Sequence, residues 1–335
     1  VGQWLFEPQS TNLLPYSEDF SQWNKSNASL INTISSTVVS PDGVSYANKL
    51  YPIGSATSSF IIQGVSANCF SVFVKKGERR WVLIYGGFSN SNVWFDSENG
   101  VFGNVLSEST ATVESFGNDW YRIRILWAQN SNHIRIYNTD SGTSTLSTGN
   151  GTDGLYIWGA QLEVQSFATS YISTEGAIKT RLQDVAFGAG SSDLINSTEG
   201  VLYFDGLFLS DGFKFVSLNS GSATNRVSIY SSSQSTIGYN VRNSNGNQMN
   251  GNFVIDSTIN HKCALKFKEN DFALWIDGVE VVTDNSGTTF SSGTLNELSY
   301  NGGAVGSSNF FGKTKCLAVF KEALTDEELT CLTTI

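Results

Sequence analysis

Hydrophobic and polar residues alternate over short stretches along most of this chain, and polar turns separate the stretches. In one such stretch, Leu155 and Ile157 alternate with Tyr156 and Trp158 before Gly159 ends the run. A two-residue period gives a strand two different faces, so each stretch predicts a β-strand. The first half contains such predicted strands at Phe60–Val65, Cys69–Lys75, Trp81–Tyr85, Val93–Phe95, Trp120–Ala128, His133–Tyr137 and Leu155–Leu162.

The second half repeats this pattern and adds a hairpin. Within Phe272–Thr283, alternating residues flank Asp277-Gly278, a dipeptide that accepts the positive φ angles of a tight hairpin turn. The strands predicted here are Gly200–Phe204, Lys214–Leu218, Arg226–Tyr230, Thr236–Val241, Lys262–Phe267, Phe272–Ile276, Val279–Thr283, Glu297–Tyr300 and Gly312–Phe320.

One helix is predicted, at the C-terminus. Thr325 has the residue type and position of an N-cap, and Glu328 completes a capping box three residues later. Leu324 is spaced to pack against Leu329 across the first turn. We expect this helix to close an end of a β-sandwich.

Many short strands without helical patterns between them indicate β-sandwiches or jelly rolls. A length of 335 residues exceeds that of most single domains. Small and polar residues become frequent after residue 166, which indicates a flexible join. We therefore predict an all-β fold with two β-sandwich (jelly-roll) domains in tandem and one short C-terminal helix: a lead-in segment 1–12, a jelly roll 13–172, a linker 173–197 and a second sandwich 198–335.

The charge balance argues against a nucleic-acid partner. The chain has 20 Lys and Arg against 30 Asp and Glu, and no basic cluster stands out. Since affinity for a phosphate backbone comes from clustered cations, we expect no nucleic-acid binding. No apolar run reaches the length of a membrane span, so no membrane partner is expected. The start at Val1 without a methionine suggests a processed or partial chain.

The cysteines do not indicate a zinc site. They form no CxxC pair and lie far in sequence from the two histidines, His133 and His261. Cys69, Cys263 and Cys316 lie in or beside apolar runs, which favours buried free thiols. One disulfide is the alternative. The four cysteines are Cys69, Cys263, Cys316 and Cys331.

Two pairs of segments resemble known families. Residues 7–23 and 154–173 resemble the carbohydrate-binding-module-like jelly roll of tail fibre and other virion structural proteins of tailed bacteriophages. Residues 198–335 resemble the laminin-G-like, concanavalin-like sandwich that often follows it, through Asn260–Val281 and Lys315–Thr333.

This resemblance implies a virion protein that binds host surface polysaccharide. It also implies contacts with other virion proteins, and analogy with tail fibres suggests a homotrimer. Two alternatives stay open, because the same folds serve several purposes. One is a purely structural decoration or connector of the particle, and the other is the glycan-binding accessory part of a polysaccharide-degrading enzyme.

Catalytic patterns are missing from the sequence, so we predict a non-enzymatic protein. Glycoside hydrolysis needs two acids flanking the scissile bond, and no strand carries such a pair. Asp96 and Glu98 flank a predicted turn, where such residues are common. Asp326–Glu328 lie in the first turn of the helix and complement its dipole. We interpret His261 as structural and His133 as a surface or structural residue, since a histidine without a partnered acid is weak evidence for catalysis.

A structural calcium ion is one open expectation, since jelly rolls and laminin-G-like domains often hold one through loop carboxylates and carbonyls. The candidate ligands are Glu18 and Asp19 near the start of the first sandwich, with Asp153 or Glu163 near its end. Ordinary surface acids are the alternative. No other cofactor is expected.

Aromatic residues provide the candidate glycan site. A sugar packs its C–H face on an aromatic ring, while polar side chains satisfy its hydroxyl groups. The best set by alternation is Trp81, Tyr85, Trp94 and Arg124. A poorer alternative lies in the second domain at Tyr230, Tyr239 and Arg242.

Overall fold

The computed structural model describes residues 2–26, 31–209, 212–304 and 308–335. The chain divides into two compact units. The N-terminal unit is Gln9–Leu182, and the C-terminal unit combines Val1–Pro8 with Gln183–Ile335. Strand β1 (Trp4–Phe6) belongs to the C-terminal unit.

The N-terminal unit is built from short strands and one 3-10 helix, Phe20–Gln22. Its strands are β2 (Ser10–Asn12), β3 (Asn24–Lys25), β4 (Ile31–Val39), β5 (Tyr46–Thr57), β6 (Ile61–Gln63), β7 (Cys69–Lys75), β8 (Trp81–Tyr85), β9 (Val93–Asp96), β10 (Val101–Val105), β11 (Ser109–Ser115), β12 (Trp120–Trp127), β13 (Ile134–Thr139), β14 (Ser147–Asn150), β15 (Leu155–Glu163) and β16 (Lys179–Arg181).

These strands form two main antiparallel sheets. The front sheet has the order β10-β9-β8-β13-β6-β3, and the back sheet has the order β11-β12-β7-β15-β5-β14, with β4 paired to β5. Alternate residues from both sheets are fully buried in one core, for example Val82 and Ile84 of β8 and Ile123 and Ile125 of β12. Burying this set places the intervening residues of each strand on the outer faces.

The N-terminal segment contacts β15, although the two are not neighbouring strands of one sheet. Strand β15 lies inside the back sheet, between β7 and β5. It does not end at Gly159, which adopts φ +62° at a register shift between Trp158 and Gln161. The segment before β3 instead binds β15 at this bulge: the Asn12 amide donates to the carbonyl of Ala160, and the Leu13 N–H donates to that of Leu162.

The C-terminal unit is a second two-sheet sandwich. Its remaining elements are β17 (Glu199–Phe208), β18 (Lys214–Asn219), β19 (Arg226–Ser233), β20 (Thr236–Asn243), β21 (Gly246–Val254), β22 (His261–Lys268), β23 (Phe272–Ile276), β24 (Val279–Asp284), β25 (Glu297–Ser299), β26 (Gly312–Phe320) and helix α1 (Asp326–Thr333). A six-stranded sheet, β1-β26-β17-β22-β23-β24, encloses one core with a five-stranded sheet, β21-β20-β19-β18-β25. The predicted all-β class with two sandwiches and a single C-terminal helix is confirmed for the described residues.

The hairpin and the helix cap form as predicted. Asp277 and Gly278 join β23 to β24 with φ values of 51° and 83°. Thr325 and Glu328 form the capping box. Helix α1 packs through Leu329 on the outer face of the six-stranded sheet, beside Trp275, and not across an end of the sandwich.

The two units begin and end at other residues than the sequence suggests. Segment 1–12 is divided between them, because β1 pairs with β26 while β2 pairs with β16. Segment 173–197 is also structured in part: Ala189 bridges to Leu298, and Ile195 is buried in the core of the C-terminal unit.

All four cysteines are free thiols. Cys69 and Cys263 are buried, and burial raises the pKa of the Cys69 thiol to about 12. The expected burial of Cys316 is wrong. The register of β17 and β26 shifts beside it, between Asp205 and Gly206, and its side chain is exposed. Separately, no helix of the described ranges is long and apolar enough to cross a membrane.

The bulge at Gly159 provides a stability test. Both Gly159 and Gly117 have positive φ, but only at Gly159 would an added Cβ meet a ring, that of Phe73, at 2.9 Å. Gly159→Ala should therefore lower the free energy of unfolding by about 1–3 kcal/mol more than Gly117→Ala, because it adds overpacking to backbone strain. Urea denaturation followed by tryptophan fluorescence measures both variants. Equal losses would contradict the close packing at this bulge.

Candidate functional site

The outer face of the front sheet carries the aromatic residues that the sequence singled out on β8. Trp81, Leu83 and Tyr85 all point away from the core, as the alternation predicts. Across the sheet, Leu83 pairs with Trp94 of β9 and with Tyr137 of β13. Three adjacent strands therefore present one continuous aromatic surface.

The middle of this face is closed to solvent. Leu83 is 0% exposed, and Trp94 and Tyr137 are each 4% exposed. The Trp94 indole N–H donates to the carbonyl of Ser144 at 2.7 Å, so the segment after β13 covers the ring. Trp94 is thus a packing residue that supports the face, and its ring is not available for stacking with a sugar.

Trp81, at one end of the face, is partly covered. Its ring lies against Gly142 and Gly103, where an added Cβ would come within 2.7 Å and 2.9 Å of it. The Arg80 guanidinium lies 5.5 Å from the ring centroid. Arg80 in turn pairs with Glu98 at 2.9 Å. The cation at this end of the face therefore already has a carboxylate partner.

The other end holds a cluster that is open to solvent, which we call the Arg135 cluster. Its members are partly exposed except for buried Tyr137, and they come from β8, β13 and the segments that precede β6 and β13. The cluster consists of Phe60, Tyr85, His133, Arg135 and Tyr137.

Arg135 is held between two rings. Its guanidinium carbon lies 4.3 Å from the Phe60 centroid and 5.1 Å from the Tyr85 centroid. The register of β13 against β8 places Arg135 directly opposite Tyr85, and the His133 ring packs edge-on against Tyr85 at 5.8 Å. Rings on both sides fix the direction of the guanidinium, which leaves its edge as the donor surface.

Arg135 is a cation without a counter-ion among the described residues, and this determines the electrostatics of the cluster. Arg135 pairs with no carboxylate in the part of the chain that the structure describes, and its buried Nε reaches no acceptor there. Burial, and secondarily the charge of Arg135, lowers the pKa of the His133 imidazole. Burial also raises the pKa of the Tyr137 hydroxyl, although Arg135 opposes this. The arrangement can therefore receive an anionic group beside two rings.

Arg124 does not belong to this face. It lies on the outer face of the back sheet, on β12, where it forms an ion pair with Glu114. Because Ile123 and Ile125 are in the core, alternation places Arg124 on an outer face. Alternation cannot, however, indicate which of two sheets carries a given strand. The shared face predicted for Arg124 and the β8 aromatics is therefore wrong.

The four candidate calcium ligands are not brought together. Glu18 accepts hydrogen bonds from the hydroxyls of Tyr171 and Ser173, and Asp19 caps the 3-10 helix. Glu163 is fully buried and accepts from the Ser10 hydroxyl at 2.6 Å. The fourth, Asp153, accepts from its neighbour Thr152. Across the described ranges, no three His, Cys, Asp or Glu side chains are grouped to hold a metal ion.

The residues interpreted as structural have structural contacts. Asp96 accepts from the backbone N–H groups of Glu98 and Asn99 in its turn. His261 is 4% exposed, and both its ring nitrogens are occupied, one by Asp277 at 2.6 Å and the other by the Asp256 carbonyl at 2.8 Å. Asp96 and His261 thus have structural contacts, whereas the buried Nε2 of His133 has no hydrogen-bond partner in the described residues.

Sequence reasoning missed Phe60 and Arg135. A signal for Arg135 was present, because the alternation in Ile134–Thr139 places Arg135 and Tyr137 together on the face opposite the core. Phe60 gave no such signal, since it precedes a strand of only three residues and reaches the cluster through the sheet register.

Comparisons with known proteins found similarity only among solved structures. No family model and no curated protein matches the chain. The carbohydrate-binding module CBM40 of the Ruminococcus gnavus IT-sialidase, bound to α2,3-sialyllactose, is 18% identical with a TM-score of 0.37, covering 45% of this chain and 95% of the module. A pentraxin of Limulus polyphemus is 15% identical with a TM-score of 0.34, covering 43% and 72%. Domains LG4-5 of the mouse laminin α1 chain are 8% identical with a TM-score of 0.30, covering 97% and 93%.

The adjacency of Arg135 and His133 is directly testable. Replacing Arg135 with glutamine removes a positive neighbour, so the pKa of His133 should rise, although burial keeps it below the ordinary value of 6.5. NMR titration of the imidazole protons measures this shift. An unchanged His133 pKa would contradict the geometry of the cluster.

Proposed function

We propose that the N-terminal unit binds an acidic glycan at the Arg135 cluster. One observation carries this proposal: a guanidinium without a carboxylate partner in the described residues is fixed between two partly exposed rings on a sheet face. Ordinary surface arginines are mobile or paired with acids, as Arg124 is with Glu114. A guanidinium that is held by rings and by the Tyr137 hydroxyl, without a carboxylate partner in the described residues, is instead suited to a carboxylate that arrives with a ligand.

The neighbouring groups match the remaining chemistry of a sugar. Tyr85 and Phe60 offer ring surface for the C–H face of a pyranose. Tyr137 and Leu83 lie buried beneath them, so the face is formed before a ligand arrives and little ordering is required. A shallow site of this kind gives modest affinity per copy, which repeated copies would raise by avidity.

The biological setting is proposed on the resemblance of the sequence alone. In this proposal the protein is a non-enzymatic component of a tailed-bacteriophage virion, an adhesin that binds host surface polysaccharide as a homotrimer beside other virion proteins. Antibodies against the chain should label intact particles at the distal end of the tail. Labelling of a collar or ring would favour a structural connector, and release of reducing sugar by the chain alone would refute a non-enzymatic role.

Substitutions in the cluster test the binding site. Tyr85→Ala and Arg135→Gln in the full chain should each weaken binding to the acidic glycans recognised on a glycan array by about 10- to 100-fold. The reason is the loss of stacking in the first variant and of a charge-assisted hydrogen bond in the second. Calorimetric titration measures the affinities, and thermal melts confirm that the variants fold.

Arg124→Gln is the matched control. It removes an arginine of the same unit from the opposite sheet, and it should leave binding unchanged. If Arg124→Gln weakened binding while Arg135→Gln did not, the site would lie on the back sheet. If no acidic glycan on the array bound, the proposed function would fail.

A further inference from the structure

The outer face of the five-stranded sheet in the C-terminal unit is ordered into three rows of side chains that cross the strands. The strand registers align one row of guanidinium, amide and carboxylate groups, one of amides and hydroxyls, and one that is partly aromatic. The first row is Asn247, Arg242, Arg226, Asn219 and Glu297; the second is Asn250, Asn240, Ser228, Ser217 and Ser299; the third is Asn252, Gly238, Tyr230 and Phe215.

The aromatic row supports an exposed ring. Phe215 and Tyr230 stack at 4.7 Å and are each 6% exposed. Phe213 lies against both, at 6.2 Å and 5.8 Å, and is 57% exposed. Gly238 makes this possible, because any Cβ there would come within 2.2 Å of the Tyr230 ring. The result is a rigid platform whose outermost ring is open to solvent.

Two arginines flank the platform. Arg226 and Arg242 are a cross-strand pair, and the Arg226 guanidinium reaches back to lie 4.8 Å from the Phe215 centroid. Arg226 is held by the Asn240 side-chain oxygen at 3.1 Å and by the Gly302 carbonyl at 2.9 Å. Burial lowers the pKa of Arg226, and the charge of Arg242 lowers it further.

The two arginine charges have no acidic partner within the described ranges, where neither Arg226 nor Arg242 pairs with a carboxylate. Glu297 lies at the far end of the same row, where its carboxylate bonds to the Ser299 hydroxyl. Two like charges side by side without a counter-ion are unfavourable, and an incoming anion would relieve their repulsion.

Amides complete the surface. Asn240 donates to the side-chain oxygens of both Asn247 and Asn250, at 3.0 Å and 3.1 Å. Their oxygens are thereby directed inward, and the NH₂ groups of these two exposed residues remain as donors toward solvent. Such donors suit the hydroxyl groups of a sugar.

We propose that this face is a second saccharide site, and that it takes a sugar bearing a carboxylate. One pyranose ring of the oligosaccharide stacks on Phe213, a carboxylate of the oligosaccharide lies between Arg226 and Arg242, and its hydroxyls accept from Asn247 and Asn250. This site uses residues of the C-terminal unit only, so it does not rest on the Arg135 cluster. The earlier alternative of Tyr230, Tyr239 and Arg242 is corrected in one member, since Tyr239 faces the core.

The experiment uses the full chain carrying Arg135→Gln, so that only the second site remains. Three probes are titrated by calorimetry: trigalacturonate, its methyl ester, and a heparin-derived tetrasaccharide. We expect one molecule of trigalacturonate to bind per chain, and the ester to bind about tenfold or more weakly because it lacks the charge. Preference for the heparin tetrasaccharide over trigalacturonate would overturn the assignment of a carboxylate.

Two further substitutions locate the binding. Phe213→Ala and Arg242→Gln remove exposed side chains, and each should weaken trigalacturonate binding by about tenfold. Thermal melts check that the loss of the Phe213 ring contacts leaves the fold intact. Phe187→Ala and Lys313→Gln are the matched controls, since both residues are exposed elsewhere on the same unit. The second site would be refuted if neither Phe213→Ala nor Arg242→Gln weakened trigalacturonate binding. It would also be refuted if the chain carrying Arg135→Gln did not bind trigalacturonate at all.

The two proposals can fail independently. If trigalacturonate binding to the unsubstituted chain is lost with Arg135→Gln alone, the Arg135 cluster stands and the second site falls. If binding is lost with Arg242→Gln alone, the second site stands and the Arg135 cluster falls as a site for this sugar.

Discussion

The alternation of side chains along a β-strand is the constraint on which this structure depends. Once one set of alternate residues is buried between two sheets, the other set must point outward, because successive side chains of a strand lie on opposite faces. On β8, burying Val82 and Ile84 obliges Trp81, Leu83 and Tyr85 to face away from the core. The chemistry of the outer faces is therefore carried by the same strands that hold the sandwich together.

The outer sheet faces of the two units share one arrangement of side chains. An arginine on a central strand lies against aromatic rings and has no carboxylate partner in the described residues, as Arg135 and Arg226 show. This is notable in a chain with an excess of acids, 30 against 20 basic residues. Several other basic residues pair with acids, for example Lys49 with Glu78 at 2.7 Å. Arg135 and Arg226 are alike in their ring contacts and in having no carboxylate partner among the described residues.

The sequence was sufficient where alternation and local turn chemistry decide the structure. The limits of β7, β8, β23 and β26 were predicted to the residue, and so was the capping box of α1. It was insufficient for polar edge strands such as β11 and β21, because a strand at the edge of a sheet buries little and shows no clear apolar period. It also could not indicate which sheet a strand joins, which is why Arg124 was misplaced, or that a later segment covers Trp94.

The pairing of β1 with β26 bears on how the protein folds during synthesis. Trp4 and Thr314 are register partners, so β1 has no partner until β26 has been synthesised. The N-terminal unit, which is continuous in sequence, can fold in the meantime, because domains generally fold as units in the order of synthesis. The β1 edge of the six-stranded sheet therefore forms only after β26 is made, and Trp4, which is 75% exposed even in the finished fold, lacks its strand partner throughout that interval.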